Sequence, residues 1–311
     1  MLKGKEKRLP FRSWGLMNIL VTGSNGQVGT ELQYLAKQFS DFNFTFVDVA
    51  DLDITNANAV YDFINSGDYN YIINCAAYTA VDKAEEDEKL AFEVNAMGAK
   101  NIAQAAVIRN IQVIHLSTDY VYHNDLDRPL VETDPTNPQS IYASTKLQGD
   151  QFVQMMLPSS MIIRTSWVYS SYGHNFVKTM LRLGKERDSL GIVADQIGTP
   201  TYAHDLAKAM LEIIAKMEKG DLVSGKMQGV FHYSNEGVTH WADFAKKIFE
   251  LEKIKCEVNE IGTKDYPTPA SRPPYSVLDK SKIKETFGLE IPNWEESLAV
   301  CLELLREKNM G

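Results

Sequence analysis

The sequence predicts an α/β fold: a doubly wound parallel sheet of the Rossmann type with a smaller, discontinuous C-terminal substrate-binding region. Three observations carry this reading. From residue 17 onward, apolar β-branched runs of strand length alternate with longer segments of helical period, the pattern left by parallel strands joined through crossover helices. The glycine-rich turn Gly23-Ser24-Asn25-Gly26-Gln27-Val28-Gly29 directly follows the first run and opens a helix. After Tyr169 the alternation breaks into short helices separated by loops rich in Gly, Pro and Tyr.

In chain order, strands are expected at Asn18 to Thr22, Phe44 to Asp48, Tyr71 to Ala76, Val113 to Ser117, Met161 to Ser166 and Val230 to Tyr233. Helices fit between them at Gln27 to Phe39, Asn56 to Ile64, Glu85 to Arg109 and Ile141 to Met156, with Pro158 stopping the last. Residues 1–16 carry five basic side chains but no apolar stretch, so they are expected to be a flexible tail with Met17 as the functional start. The dinucleotide-binding domain is expected over 17–169, with 201–235 returning to it, and the substrate-binding region mainly over 170–200 and 236–311.

A net charge of -9 disfavours nucleic-acid or anionic-membrane partners, which would be repelled at long range. No apolar run reaches the length of roughly 18 residues that a membrane span needs. Cys75, Cys256 and Cys301 are odd in number and widely spaced, which gives neither a disulfide framework nor a zinc knuckle and points to a reducing, cytoplasmic compartment.

The glycine spacing has a physical use. Gly23 permits the tight turn, Gly26 lets backbone N–H groups approach a pyrophosphate, and Gly29 lets helix and strand pack closely, with Gln27 and Val28 in the first helical turn. Asp48 ends the second strand about 20 residues later, where a carboxylate can accept hydrogen bonds from an adenosine ribose. That carboxylate would repel a 2'-phosphate, and no Arg or Lys lies between Phe44 and Asn58 to attract one, so the residues favour NADH. Asp53 and Ile54 fit either a cover over the adenine or an ordinary turn Asp and core Ile.

Tyr142 and Lys146 lie four residues apart in a predicted helix and project from one face. A phenol of ordinary pKa near 10 is a poor proton donor and acceptor at neutral pH, and a neighbouring ammonium is expected to stabilise its phenolate. Fourteen tyrosines would supply such a spacing by chance, so placement carries the argument. Ser117-Thr118-Asp119-Tyr120 ends a strand about 25 residues before Tyr142, and strand carboxyl ends are where open α/β sheets bind ligands. Thr118 is then positioned to donate to the substrate oxygen that Tyr142 protonates.

Together these segments resemble the dTDP-4-dehydrorhamnose reductase family of extended short-chain dehydrogenase/reductases. The narrower signals are Ala76-Ala77-Tyr78-Thr79-Ala80-Val81-Asp82-Lys83-Ala84-Glu85 and Arg272-Pro273-Pro274-Tyr275-Ser276-Val277-Leu278-Asp279. Arg164-Thr165-Ser166-Trp167-Val168-Tyr169 and Asp195-Gln196-Ile197-Gly198-Thr199-Pro200-Thr201 also match. The resemblance runs from about Met17 to the C-terminus. It implies reduction of the C4 carbonyl of dTDP-4-dehydro-L-rhamnose, the last step of dTDP-L-rhamnose synthesis, with NADPH or NADH as the cofactor. It assigns Ala76, Ala77, Tyr78, Tyr142 and Lys146 to the cofactor, Thr118, Tyr142 and Lys146 to catalysis, and Thr118, Asp119, Tyr142, Trp167 and Arg272 to the nucleotide sugar. By its residue type alone, Trp167 fits a core position equally well, and Arg272 fits a surface loop. Some members carry a magnesium ion at a subunit interface. Glu31 matches one of its carboxylates, but His204 stands where the other would be, so no metal is expected.

Two rival functions share this scaffold. A nucleotide-sugar dehydratase of similar sequence carries Asp then Glu after the catalytic Thr, whereas here Asp119 is followed by Tyr120. The regulatory subunit of methionine adenosyltransferase also resembles the family, but the intact Thr118, Tyr142 and Lys146 argue against lost catalysis. The segments Glu85 to Arg109 and Ile141 to Met156 are the candidate faces for a homodimer.

Overall fold

A computed structural model describes residues 16–123, 126, 128–220 and 227–310. The predicted tail lies outside these residues except for Leu16. Six parallel strands form the central sheet: β1 (Met17–Thr22), β2 (Phe42–Val47), β3 (Tyr71–Asn74), β4 (Gln112–Thr118), β5 (Met161–Thr165) and β6 (Gly229–His232). Their spatial order is β6-β5-β4-β3-β1-β2. The chain leaves β1 toward β2 at one edge and returns to β3 on the opposite side of β1, so the carboxyl ends of β1 and β3 open the crevice at a topological switch point.

Both faces of the sheet are buried, which is why its strands read as nearly continuous apolar runs. Ile19 and Val21 of β1 face one core, packed with Leu32 and Leu35 of α1 (Gln27–Ala36). Leu20, between them, faces the other, packed with Val60 and Ile64 of α2 (Ala57–Ser66). Asn56 caps α2 by accepting from the Ala59 N–H at 3.1 Å.

The expected long helix after Glu85 is interrupted. It runs as Glu88–Phe92, a π-helical turn over Glu93–Gly98, and α3 (Ala99–Ile108). Such a turn inserts a residue into the helical ladder and often marks functional ground. It packs against α4 (Ile141–Met156), which is capped by Ser140 accepting from Ala143 N–H at 3.2 Å. The approach is close: a Cβ on Gly149 of α4 would lie 2.2 Å from the Asn95 carbonyl oxygen. The helix α5 (Ala203–Glu218), for which the sequence pattern had given no expectation, covers the β1/α1 face with Leu206, Met210 and Ile213.

A third core holds Tyr169, Tyr202, Phe244, Trp294 and Leu298 together. The helices Phe176–Glu186, Trp241–Glu252 and Trp294–Met310 contribute to it, as does the parallel pair Ser189–Val193 with Glu257–Ile261. Two segments distant in the chain thus share one packed body.

Candidate active site

A cavity of about 810 Å³ opens at the carboxyl ends of β1, β3 and β4. Its lining gathers the residues expected at the cofactor: Gly23, Gly26, Gln27, Val28, Gly29, Asp48, Asp53, Ile54, Ala76, Ala77 and Tyr78. Thr118, Asp119, Tyr142, Lys146 and Trp167 lie on the same lining, whereas Arg272 does not.

The glycine turn is shaped by close backbone approach. Gly23 has φ +66, and a Cβ on it would lie 2.6 Å from Ala76 N. One on Gly29 would lie 2.4 Å from the Gly23 carbonyl oxygen. Gly26 begins α1 with no side-chain cap, leaving the N–H groups of the first turn free for an anion. The residues therefore fit a pyrophosphate. Asp48 accepts from Asn25 N–H and Val49 N–H, both at 2.8 Å, so the carboxylate is fixed at the end of β2. Asp53 caps its own turn, accepting from Thr55 N–H at 2.9 Å, and Ile54 is buried while still reaching the cleft.

Side chains from the π-helical turn hold the opposite wall. Asn95 accepts from Tyr78 N–H at 2.8 Å through Oδ1, and its Nδ2 donates to Thr145 Oγ1 at 3.1 Å and to the Tyr78 carbonyl at 3.2 Å. The loop over Ala76–Tyr78 is thereby tied to the helix that carries Tyr142.

Lys146 is buried, and its Nζ donates to the Leu116 carbonyl at 2.7 Å. Burial pushes its ammonium down to about 8, opposed mainly by the negative Asp150. The expected acidification of Tyr142 by Lys146 is not found: burial pushes the phenol up to about 12, offset in part by a hydrogen bond with Thr118. The lysine turns to a backbone carbonyl instead. Tyr142 is thus firmly protonated at neutral pH. Thr118 donates to Asp119 Oδ1 at 3.1 Å and accepts from Tyr120 N–H at 3.2 Å, while the Tyr120 ring meets that of Tyr142 edge-on at 5.6 Å. Burial raises the Asp119 carboxyl to about 7.

Trp167 combines both of the readings open to it. It lines the cleft, and it stacks on Trp241 with ring centroids 3.7 Å apart and planes 13° apart. Its φ of +46 is rare for a bulky residue and turns the indole from the end of β5 toward the cleft. Arg272 forks onto Asp82, with Nη1–Oδ1 at 3.0 Å and Nη2–Oδ2 at 2.8 Å, and also donates to Thr268 Oγ1 at 2.6 Å. The two narrow sequence motifs are joined by that ion pair.

Glu31 is buried, accepting from the Ser170 hydroxyl at 2.5 Å and lying 3.1 Å from His204 Nδ1. One carboxylate already engaged in this way, with an imidazole in place of a second, does not fit the oxygen-rich shell of magnesium. Among the described residues, His240, Asp243 and Glu260 could also converge on a metal ion. There the Lys246 ammonium already sits 2.9 Å from Asp243 and 2.6 Å from Glu260.

Sequence and fold comparisons agree with this geometry. The family described as RmlD substrate binding domain matches residues 17–307. A dTDP-4-dehydrorhamnose reductase of Aggregatibacter actinomycetemcomitans is 41% identical over 290 residues, covering 91% of this chain and 97% of the relative. The chain belongs to the dTDP-4-dehydrorhamnose reductase family. The crystal structure of such a reductase from Clostridium acetobutylicum superposes with a TM-score of 0.87 at 44% identity, covering 93% of this chain and 100% of that one. That of the Bacillus anthracis enzyme in complex with NADP gives 0.85 at 38% identity, covering 93% and 99%.

Proposed function

We propose that this member of the family reduces the C4 keto group of dTDP-4-dehydro-L-rhamnose to dTDP-L-rhamnose with NADPH or NADH. The observation that carries the reading is one cleft holding a pyrophosphate-shaped glycine turn at one end and a protonated Tyr142 beside Thr118 and Lys146 at the other. The reduced nicotinamide, when bound, supplies the hydride. Gly23, Gly26 and the first turn of α1 hold the pyrophosphate, and Asp48 holds the adenosine ribose, with Asp53 and Ile54 beside the adenine. Ala76, Ala77 and Tyr78 form the wall along the dinucleotide.

Tyr142 donates its phenolic proton to the oxygen of the former C4 carbonyl as charge develops there, and the phenolate is reprotonated from solvent. Thr118 hydrogen-bonds the same oxygen. Lys146 leaves the Leu116 carbonyl for the nicotinamide ribose, placing its charge near the new phenolate. Asp119 and Trp167 face the sugar. Arg272, held by Asp82, is proposed to contact the diphosphate from the cleft rim by exchanging part of that ion pair. The substrate-binding role falls to the body built from 170–200 and 236–311, and the cofactor-binding role to 17–169 with 201–235.

The protein is proposed to act in the cytoplasm, since no helix among the described residues is long and apolar enough to cross a membrane. A homodimer through α3 and α4, which expose Ile108 and Met155, belongs to the same proposal. Loss of nicotinamide absorbance on mixing purified protein with dTDP-4-dehydrorhamnose tests the activity. No oxidation with either cofactor overturns it.

A further inference from the structure

We propose that Asp150 is a positioning residue for this reaction, holding Lys146 in its charged, cleft-facing state from beneath the active site. Tyr142, Lys146 and Asp150 occupy successive turns of α4, so their side chains form one column on one face of the helix. The first two line the cleft, and the third is buried and off its lining.

The column poses an electrostatic problem. Lys146 is 2% exposed, and the hydrogen bond described for it goes to a neutral carbonyl. A buried ammonium with such a partner tends to shed its proton. The groups that bear on it electrostatically are Asp150 and Cys75, and burial raises the Cys75 thiol to about 12, leaving it uncharged at neutral pH. Tyr142 is also neutral there. His115, on the neighbouring strand, is held uncharged by burial, and its Nδ1 lies 2.9 Å from Asn74 Nδ2. Burial pushes the Asp150 carboxyl up as well, but the Arg164 guanidinium and then the Lys146 ammonium oppose that rise, and Asp150 is the acidic group left to balance Lys146.

Its own placement is overdetermined from the far side. Arg164 Nε donates to Asp150 Oδ2 at 3.1 Å, while Arg164 Nη1 donates to Tyr122 Oη at 2.7 Å. Tyr122 Oη lies 2.8 Å from His232 Nε2, and His232 Nδ1 lies 3.1 Å from the Leu130 carbonyl. Asp150 Oδ1 has no hydrogen-bond partner among the described residues, with His115 Nε2 at 3.8 Å. One oxygen is thus fixed by Arg164, while the carboxylate also faces Ser117 and His115 and acts on Lys146 by its charge alone. A carboxylate required only to balance Arg164 would not need to stand on the helix turn after Lys146.

The sign of the effect follows directly. Asp150 raises the pH at which Lys146 loses its proton, so removing that charge moves the loss to lower pH. Because the inference rests on Lys146 serving the cofactor, reduced-cofactor binding is measured without substrate. NADH and NADPH are titrated fluorometrically into wild type and Asp150→Asn between pH 6 and 10, and turnover of dTDP-4-dehydrorhamnose is followed over the same range.

In the wild type, affinity and turnover should fall above about pH 8, where Lys146 titrates. In Asp150→Asn the fall should begin about one pH unit lower, with activity near wild type at pH 6 and about fivefold lower at pH 8. If the unpaired Arg164 prevents folding, Asp150→Asn with Arg164→Met removes the buried pair as a unit and must show the same shift. An alkaline limb that coincides with the wild type in the folded variant overturns the proposal. Cofactor binding without sugar turnover would refute the substrate reading alone, since the binding limb still decides the role of Asp150. A protein that binds neither nicotinamide overturns both.

Discussion

At the end of the cleft proposed for the cofactor the walls are largely main chain: the turn at Gly23, the uncapped start of α1, and the Ala76–Tyr78 segment tied down by Asn95. At the end proposed for the sugar they are side chains: Trp167 lying on Trp241, and Tyr120 edge-on to Tyr142. Backbone walls serve a ligand that is the same in every turnover and tolerate almost no added atoms. Side-chain walls can be exchanged one at a time, which makes them the natural place for a shared scaffold to change its substrate. Between the two stands α4, whose Tyr142 and Lys146 line the cleft and are proposed to carry the chemistry, Lys146 also reaching the cofactor.

The hardest test of that division removes the chemistry and leaves both walls standing. Tyr142→Phe should lower kcat by about 10² or more while NADH and NADPH titrations stay close to wild type, because the phenol contributes a proton and little of the wall. Unchanged turnover would remove Tyr142 from the mechanism. Next in size is the backbone wall. Gly29→Ala places a methyl 2.4 Å from the Gly23 carbonyl oxygen, an overpacking that costs about 1–3 kcal/mol. Both the thermal midpoint and the cofactor affinity should drop. A variant with wild-type affinity for both nicotinamides would show that the turn is not held by close approach.

The same division explains how much could be read in the sequence. The glycine turn, Asp48 and the Tyr142/Lys146 pair were legible because each is a local device: a few residues at fixed spacing on one strand, turn or helix. The sheet was legible because burial on both faces leaves continuous apolar runs. Asn95 and Gly149 were not, since their work is a contact between two helices whose π-helical turn leaves no periodic trace. Asp150 reads as an ordinary polar residue of α4 until β5 brings Arg164 beside it. Trp241 acts on the cleft only through Trp167, 74 positions earlier in the chain. The helix α5 does carry an amphipathic stripe of Ala203, Leu206, Ala207, Met210, Leu211 and Ile214, so its period was legible although no helix was expected there.

A smaller effect sharpens the side-chain end. Trp241→Ala removes an aromatic pair worth about 0.5–1.5 kcal/mol and frees Trp167 to leave its rotamer. The KM for the nucleotide sugar should rise about two- to tenfold by the same energies, with a lesser change in kcat and none in cofactor affinity. A cofactor defect of equal size would mean that the aromatic stack supports the whole cleft and that the two ends are not independent.

The smallest effect returns to Asp48, the one place where a side chain, not the backbone, decides what the cofactor end accepts. Its carboxylate is pinned by two backbone N–H groups, and among the described residues no arginine lines the cleft and Lys146 is the lysine that does, beside Tyr142. A 2'-phosphate would meet this negative charge without a compensating cation, so NADH should give the higher kcat/KM. Removing one charge–charge repulsion of about 1 kcal/mol should narrow the NADH-to-NADPH ratio in Asp48→Asn by about fivefold, chiefly through the KM for NADPH. A wild type that prefers NADPH, or a ratio unmoved by the substitution, would mean that the 2'-phosphate projects clear of Asp48 into solvent. The adenosine would then be held by the loop from Leu52 to Ile54, leaving backbone as the determinant at both ends of the dinucleotide.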